Sequence, residues 1–282
     1  MMLSCYTTNL VEYLGATAVQ RLARAIRLHV RTDLSSGDLA FSHHKRIDRE
    51  HGWELAYRGV VHWPSALDGL VTELSKHGAV LAVGNTRHLP WSPNYRSTDI
   101  PHWILLTDWD GTQWRVVDKF DAQLPSGQQS PYCGWLHEDK LRSALTLPAN
   151  LDNHLLLRDE HALGTPTAVP TQCRHRWLVR QTCSERRPPA GRWLTDPADV
   201  LEYLGDRLAT DRRALVHHAD DLWAAARHHC FQRTILDDGP TADWVGLPRA
   251  LRFAVESASR GRDRPGVVAA AFRRLLSTEV RV

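Results

Sequence analysis

The sequence predicts an α+β protein in two parts: a domain with an antiparallel sheet, followed by a mostly helical domain. Three observations carry this expectation. Between Ile100 and Asp121 the run IPHWILLTDWDGTQWRVVDKFD sets two apolar stretches, 102–107 and 113–117, on either side of Asp110-Gly111, and a DG pair between such stretches is a strong short-range hairpin signal. Near the start, Leu10, Val11, Tyr13 and Leu14 alternate with polar Asn9 and Glu12 in a helical pattern that ends at Gly15, a residue suited to a helix stop. From Asp196 onward, Val200, Leu201, Leu204 and Leu208 recur at helical spacing behind Pro197, with Thr195 or Asp196 as the cap and proline in the first turn.

Composition bounds the function classes. At 282 residues, 43% of them apolar, the chain is long enough for two modest cores. Basic and acidic residues number 35 and 32, and no single-sign run or basic-aromatic motif accompanies the arginines, so no nucleic acid partner is expected. The apolar stretch 10–19 is interrupted by Glu12 and has no basic region before it. Neither a signal peptide nor a membrane span is expected, and the location expected is the cytoplasm. Five cysteines, widely spaced and without a CxxC pair, argue against a disulfide framework or a zinc knuckle.

Taken in order, the first helix begins at Cys5. Backbone N–H groups and the positive end of the helix dipole favour a thiolate there, which is the nucleophilic form, and they can also receive an oxyanion. A second helix is predicted over 16–29, with Ala18, Val19, Leu22, Ala23, Ile26 and Val30 on one face. Residues 31–63 read as turns and short strands, with His43-His44 in a polar, solvated stretch. A helix is predicted over 64–77, with Pro64 in its first turn and Gly78 at its stop, then a buried strand over 79–83. The loop 85–99, NTRHLPWSPNYRSTD, leads into His102, and loops of that length inside a domain are usually functional. In the hairpin, His102 lies near the start of the first strand and Asp118 near the end of the second, so pairing brings them to one end of the sheet. A histidine beside an aspartate is by itself more often a surface pair or a satisfied buried group.

Further on, a helix is predicted over 136–145 and a possible edge strand over 174–181. Six arginines stand between Arg174 and Arg192 against one acid, Glu185; this reads as a solvated loop or as a patch suited to an acidic carrier protein. Pro188-Pro189 is the expected hinge. The division expected is therefore a catalytic domain over 1–150, a connecting segment over 151–194 and a helical domain over 195–282, with further helices over 211–235, 246–258 and 266–277. The pairs His217-His218 and His228-His229 lie eleven residues apart, about 16 Å along a helix, too far for one ion to bridge. No metal is expected.

A cysteine at a helix start, then helices, then an antiparallel sheet bearing His and, sixteen residues later, Asp is the chain order of a papain-like cysteine enzyme. Within that order SCYTTNLVEYLG, LPWSPNY and PHWILLTDWDGTQWRVVD resemble the N-terminal domain of the butirosin biosynthesis H-type acyltransferases, relatives of bacteriocin-processing cysteine peptidase domains. The segment HHCFQRTILDDGPTADWVGLPRALRFAVESA more loosely resembles their helical half. The resemblance implies that Cys5 is the nucleophile, His102 the base and Asp118 its orienting partner. Tyr6, Asn9 and Trp103 around the triad, and Leu89, Trp91 and Tyr95 of the preceding loop, are the expected substrate contacts, the loop serving with the helical domain as a lid. The peptidase relatives carry a glutamine about six residues before the cysteine as an oxyanion donor. Only four residues stand before Cys5 here, so backbone N–H groups are the expected donors. Lys119 stands where related chains tend to have proline.

The function this implies is acyl transfer in specialised metabolism, from the phosphopantetheine arm of an acyl or peptidyl carrier protein, through an acyl-cysteine, to a small-molecule amine or alcohol. No resident cofactor is expected. Four other readings fit the same residues: a lactam-forming or carbon–carbon cyclase, a cysteine peptidase, an N-terminal nucleophile hydrolase exposed by removal of four residues, and a non-catalytic carrier-binding module.

Overall fold

The computed structural model describes residues 3–124, 126–183, 190–239 and 241–279. In chain order the elements are α1 (Cys5–Leu14), α2 (Thr17–Ala25), β1 (Ile26–Arg31), β2 (Ala40–His44), β3 (Trp53–Val60), α3 (Trp63–His77), β4 (Val80–Asn85), β5 (Pro101–Trp109) and β6 (Gln113–Asp118). Then come β7 (Ala122–Leu124), β8 (Gly127–Gln129), β9 (Tyr132–His137), α4 (Glu138–Ala144), α5 (Asn153–His161), β10 (His175–Thr182) and β11 (Trp193–Leu194). Four helices follow: α6 (Pro197–Thr210), α7 (Arg212–Leu236), α8 (Ala242–Ser259) and α9 (Pro265–Glu279). The fold mixes helices with antiparallel sheets, as expected, and among the described residues no helix is long and apolar enough to cross a membrane.

Contacts divide the chain into two units. The first comprises Met1–Val19 and Arg46–Arg187, the second Gln20–Lys45 and Pro188–Val282. This differs from the expected sequential division, because residues 20–45 belong with the C-terminal helices. The expected helix over 16–29 ends at Ala25, and the chain continues as β1 with IRLHVR buried in strict alternation. Ile26, Leu28 and Val30 satisfy a helical face and a strand face equally well, but the interposed Arg27, His29 and Arg31 fit only the period of two.

In the first unit a six-stranded antiparallel sheet runs in the order β3-β10-β4-β5-β6-β9. The expected edge strand over 174–181 is interior: β10 pairs with β3 along its whole length and with β4 at Arg176 and Trp177. Its neighbours Trp177, Leu178 and Val179 are all buried, as a strand covered on both faces requires. Val80, Ala82, Ile104, Leu106, Val116 and Trp177 form one core with Trp63, Ala66 and Leu70 of α3 and Leu141 of α4. The opposite side chains of the sheet, among them Trp103, receive α1 through Tyr6, whose ring stands edge-on to Trp103 at 5.1 Å. The expected helix over 136–145 starts two residues late, since Leu136 belongs to β9 and pairs with Trp114. The aperiodic stretch before Pro170 contains α5.

The second unit packs β11-β1-β2 with α6–α9. Leu28, Val30 and Phe41 of the sheet and Leu39 just before β2 share its core with Leu204, Leu222, Trp244, Leu251 and Phe272 of the helices. Asp196 caps α6 by accepting from the Ala198 and Asp199 amides. The expected solvated pair His43-His44 lies on β2, with His44 buried and both rings near His228 of α7. The expected hinge Pro188-Pro189 lies outside the described residues.

Candidate active site

Ser4 is the N-cap of α1, and its hydroxyl accepts from the Thr7 amide at 3.3 Å. The cap makes Cys5 the first residue of the helix, where N–H groups have no intrahelical acceptor and the dipole is positive. At the other end Gly15 takes φ 82 and its N–H closes on the Val11 carbonyl. Asp110-Gly111 closes the β5–β6 hairpin, which aligns Leu105 with Val117 and Leu106 with Val116. That register carries Asp118 to the end of the sheet where β5 begins with Pro101 and His102.

His102 Nε2 lies 2.7 Å from Asp118 Oδ2, with the two side chains 4% and 0% exposed. One ring nitrogen remains, Nδ1, and Cys5 lies close enough to the ring to favour its protonated form. Burial alone would discharge His102, but the charges of Asp118 and Cys5 and their hydrogen bonds outweigh it and push the imidazolium up to about 10. Burial likewise opposes ionisation of Asp118, yet the His102 charge and the bonds from His102, Asn9 and Trp91 hold its carboxyl below the usual carboxylate range. His102 is therefore held as the imidazolium and Asp118 as the carboxylate.

Asp118 is more heavily held than the sequence reveals. Besides His102, its Oδ2 accepts from Trp91 Nε1 at 2.8 Å and Gln129 Nε2 at 3.2 Å, while Oδ1 accepts from Asn9 Nδ2 and the Phe120 amide, each at 3.0 Å. Gln129, 1% exposed on β8, was not anticipated: a glutamine in a polar, turn-rich stretch gives no signal that its hairpin folds back over the carboxylate.

Several expected substrate contacts are corrected by burial. Asn9 is fully buried; its amide donates to the Cys5 and Trp103 carbonyls as well as to Asp118, and its oxygen accepts from the Lys119 amide. A proline at 119 has no N–H to offer it. Trp103 is fully buried between the rings of Tyr6 and Tyr57, and Leu89 is fully buried in the core under the sheet. Trp91 stacks face to face on Tyr132 at 3.9 Å while bonding Asp118, so it braces the carboxylate. The loop bearing these residues is tied at its base by Asn85 to Asp99 and by Thr86 to the Thr98 carbonyl, contacts that fit a fixed wall better than a lid. Tyr95 is 38% exposed and remains the loop residue open to a ligand. Tyr6 is half-buried and turns its hydroxyl inward to Asp159 at 2.7 Å.

No protein-family model matches the chain, and no curated protein matches it.

The remaining cysteines are free thiols in other settings. Cys230 is buried, Cys133 exposed, and Cys173 and Cys183 intermediate. Of the arginines between 174 and 192, Arg176 is buried against Asp159 and so lies outside any open basic patch, while Arg180 is exposed and donates to the Tyr13 hydroxyl; Glu185, Arg186 and Arg187 lie outside the described residues. Among the described residues no three His, Cys, Asp or Glu side chains are placed to hold a metal ion. His218 instead accepts from the Leu39 amide at 3.1 Å and faces Asp221 at 3.2 Å.

Proposed function

We propose that the first unit is a papain-like cysteine-enzyme domain and that the chain is an acyltransferase of specialised metabolism. The observation that carries the reading is the buried His102–Asp118 pair beside Cys5, a half-buried residue at a helix start, with Nε2 committed to the carboxylate and Nδ1 left for sulfur. A Cys5 thiolate attacks the carbonyl carbon of a carrier-bound thioester, forming the carbon–sulfur bond and placing the electron pair on oxygen, where first-turn amides of α1 receive it. Collapse of the intermediate breaks the bond to the phosphopantetheine sulfur, and the His102 imidazolium gives that sulfur its proton. Neutral His102 then takes a proton from the acceptor amine or alcohol as it attacks the acyl-cysteine; collapse of that second intermediate breaks the carbon–sulfur bond and returns Cys5 as the thiolate beside the His102 imidazolium, and Asp118 keeps the ring in the tautomer that each step requires.

The test is to incubate the full chain with a series of acyl-pantetheine thioesters, quench early and map the adduct by peptide mass spectrometry. An acyl group on Cys5 is expected, absent in Cys5→Ala and discharged as an amide on adding a primary amine. Consumption of a thioester with no adduct on Cys5, or undiminished product from Cys5→Ala, rules the mechanism out.

A further inference from the structure

Behind the triad lies a second buried polar cluster that the proposed mechanism does not use. Asp159 of α5 is fully buried and accepts from the Tyr6 hydroxyl at 2.7 Å and from Arg176 of β10 at 3.4 Å. Its backbone carbonyl accepts from the Tyr57 hydroxyl of β3 at 2.9 Å. Tyr6 is the residue after Cys5. Its hydroxyl also lies 3.4 Å from the Pro101 carbonyl and its ring packs edge-on to Trp103, so one side chain touches both chain neighbours of His102.

We propose that Tyr6, held by Asp159, is a positioning residue that sets the Cys5 thiol against His102, an inference that rests on the catalytic reading of that pair. Tyr6 joins the first turn of α1 to the first residues of β5, and those two elements supply the sulfur and the imidazole. Without the hydroxyl anchor the ring is free to slide over Trp103 and α1 to shift along the sheet. A displacement near 1 Å in reacting groups costs on the order of a hundredfold in rate, so a partial displacement is expected to cost about tenfold. The groups facing Asp159 are Tyr6 from α1, Tyr57 from β3, Arg176 from β10 and Arg158 on its own helix. Burial and the Asp159 charge hold the Tyr6 phenol well above its usual range, which keeps it a donor throughout the pH range of the test.

The experiment measures alkylation of Cys5 by iodoacetamide from pH 5 to 9, by peptide mass mapping, in the full chain and in Tyr6→Phe, Asp159→Asn and His102→Ala, with thermal unfolding of each. Tyr6→Phe removes one oxygen and leaves the Asp159–Arg176 pair in place. It is expected to react about tenfold more slowly near pH 6 and to approach the parent rate near pH 9, where a free thiol ionises unaided. Asp159→Asn retains an oxygen that can accept from Tyr6 and is expected to keep at least about a third of the parent rate, by the same geometric argument. A merely structural tie lowers the melting temperature without changing the pH profile. If the Tyr6→Phe profile superimposes on the parent while His102→Ala is slowed, this inference falls and the catalytic pair stands. If His102→Ala itself reacts like the parent, the pair falls and the inference with it.

Discussion

Asp118 illustrates how much of a site one carboxylate can organise. Five donors converge on its two oxygens from α1, the 89–95 loop, β5, β8 and its own turn, so neither the aspartate nor the ring it orients has another low-energy arrangement. Deleting the side chain would strand a buried imidazolium, a change that typically costs about 3–5 kcal/mol. Asp118→Asn is the cleaner probe: the amide can keep the shape while favouring the wrong imidazole tautomer and failing to balance its charge. Under the proposed function, turnover of a thioester is expected to fall by about a thousandfold or more, with the folded circular dichroism spectrum retained; a folded Asp118→Asn variant within about tenfold of the parent contradicts the orienting role proposed for the carboxylate. Cys5, His102 and Asp118 were legible as residues because each sits beside a local signal, a helix start, a strand start and a hairpin end. Gln129 and the bracing role of Trp91 were not, because nothing local marks a side chain whose partner is reached only when a loop folds back.

At the scale of elements, α3 and β10 show packing overriding propensity. A glycine inside a helix is destabilising by roughly 1 kcal/mol relative to alanine, yet Gly69 occupies the middle of α3. A Cβ there would stand 2.3 Å from the ring of Trp177 on β10, and that ring is 5% exposed in a filled core. Gly69→Ala is therefore expected to destabilise the protein by about 1–3 kcal/mol, the usual cost of overpacking, despite its better helix propensity. Urea unfolding measures this, and a stabilised variant would mean that the helix and sheet can separate without cost. The same ring explains why 175–182 is an interior strand: Trp177 needs α3 on one face while Leu178 is buried on the other.

At the scale of the whole molecule, the lowered histidines of the second unit and the raised His102 of the first carry pH dependences of opposite sign. In the second unit, burial and then the charges of His43 and His44 hold His228 well below the usual histidine range. Burial followed by Arg27 takes His29 down to about 4, and burial followed by Arg233 takes His229 down to about 3. Unfolded histidines bind protons from about pH 6.5 downward, so the unfolded state gains protons first and this unit loses stability as pH falls below that value. His102 in the first unit has the opposite sign: its raised value contributes stability that is fully present below about 6.5 and is lost as pH rises through about 10. His175, lowered mainly by burial, is a smaller opposing contribution within the first unit. Pulse proteolysis in urea, with peptides assigned to each unit, is expected to show the second unit opening at lower urea at pH 5 than at pH 7. An unchanged midpoint for its peptides would mean that its histidines titrate as they do in the unfolded chain.

What the sequence by itself determined is the set of features with short-range causes. Cys5 and Gly15 mark the bounds of α1, Pro64 and Gly78 bracket α3, Asp110-Gly111 turns the hairpin and Asp196-Pro197 starts α6, because caps, turns and fixed dihedrals depend on a few neighbouring atoms. The chain order Cys, His, Asp was readable for the same reason. Only the tertiary structure decided that β10 enters the sheet between β3 and β4, that residues 20–45 join the C-terminal helices, and that Asn9 reaches a carboxylate 109 residues away. Each of these is a choice of partner, and partner choice follows from which distant apolar faces fill one another and which buried polar groups are satisfied. An alternating strand such as IRLHVR states which of its sides is apolar and says nothing of what will cover it.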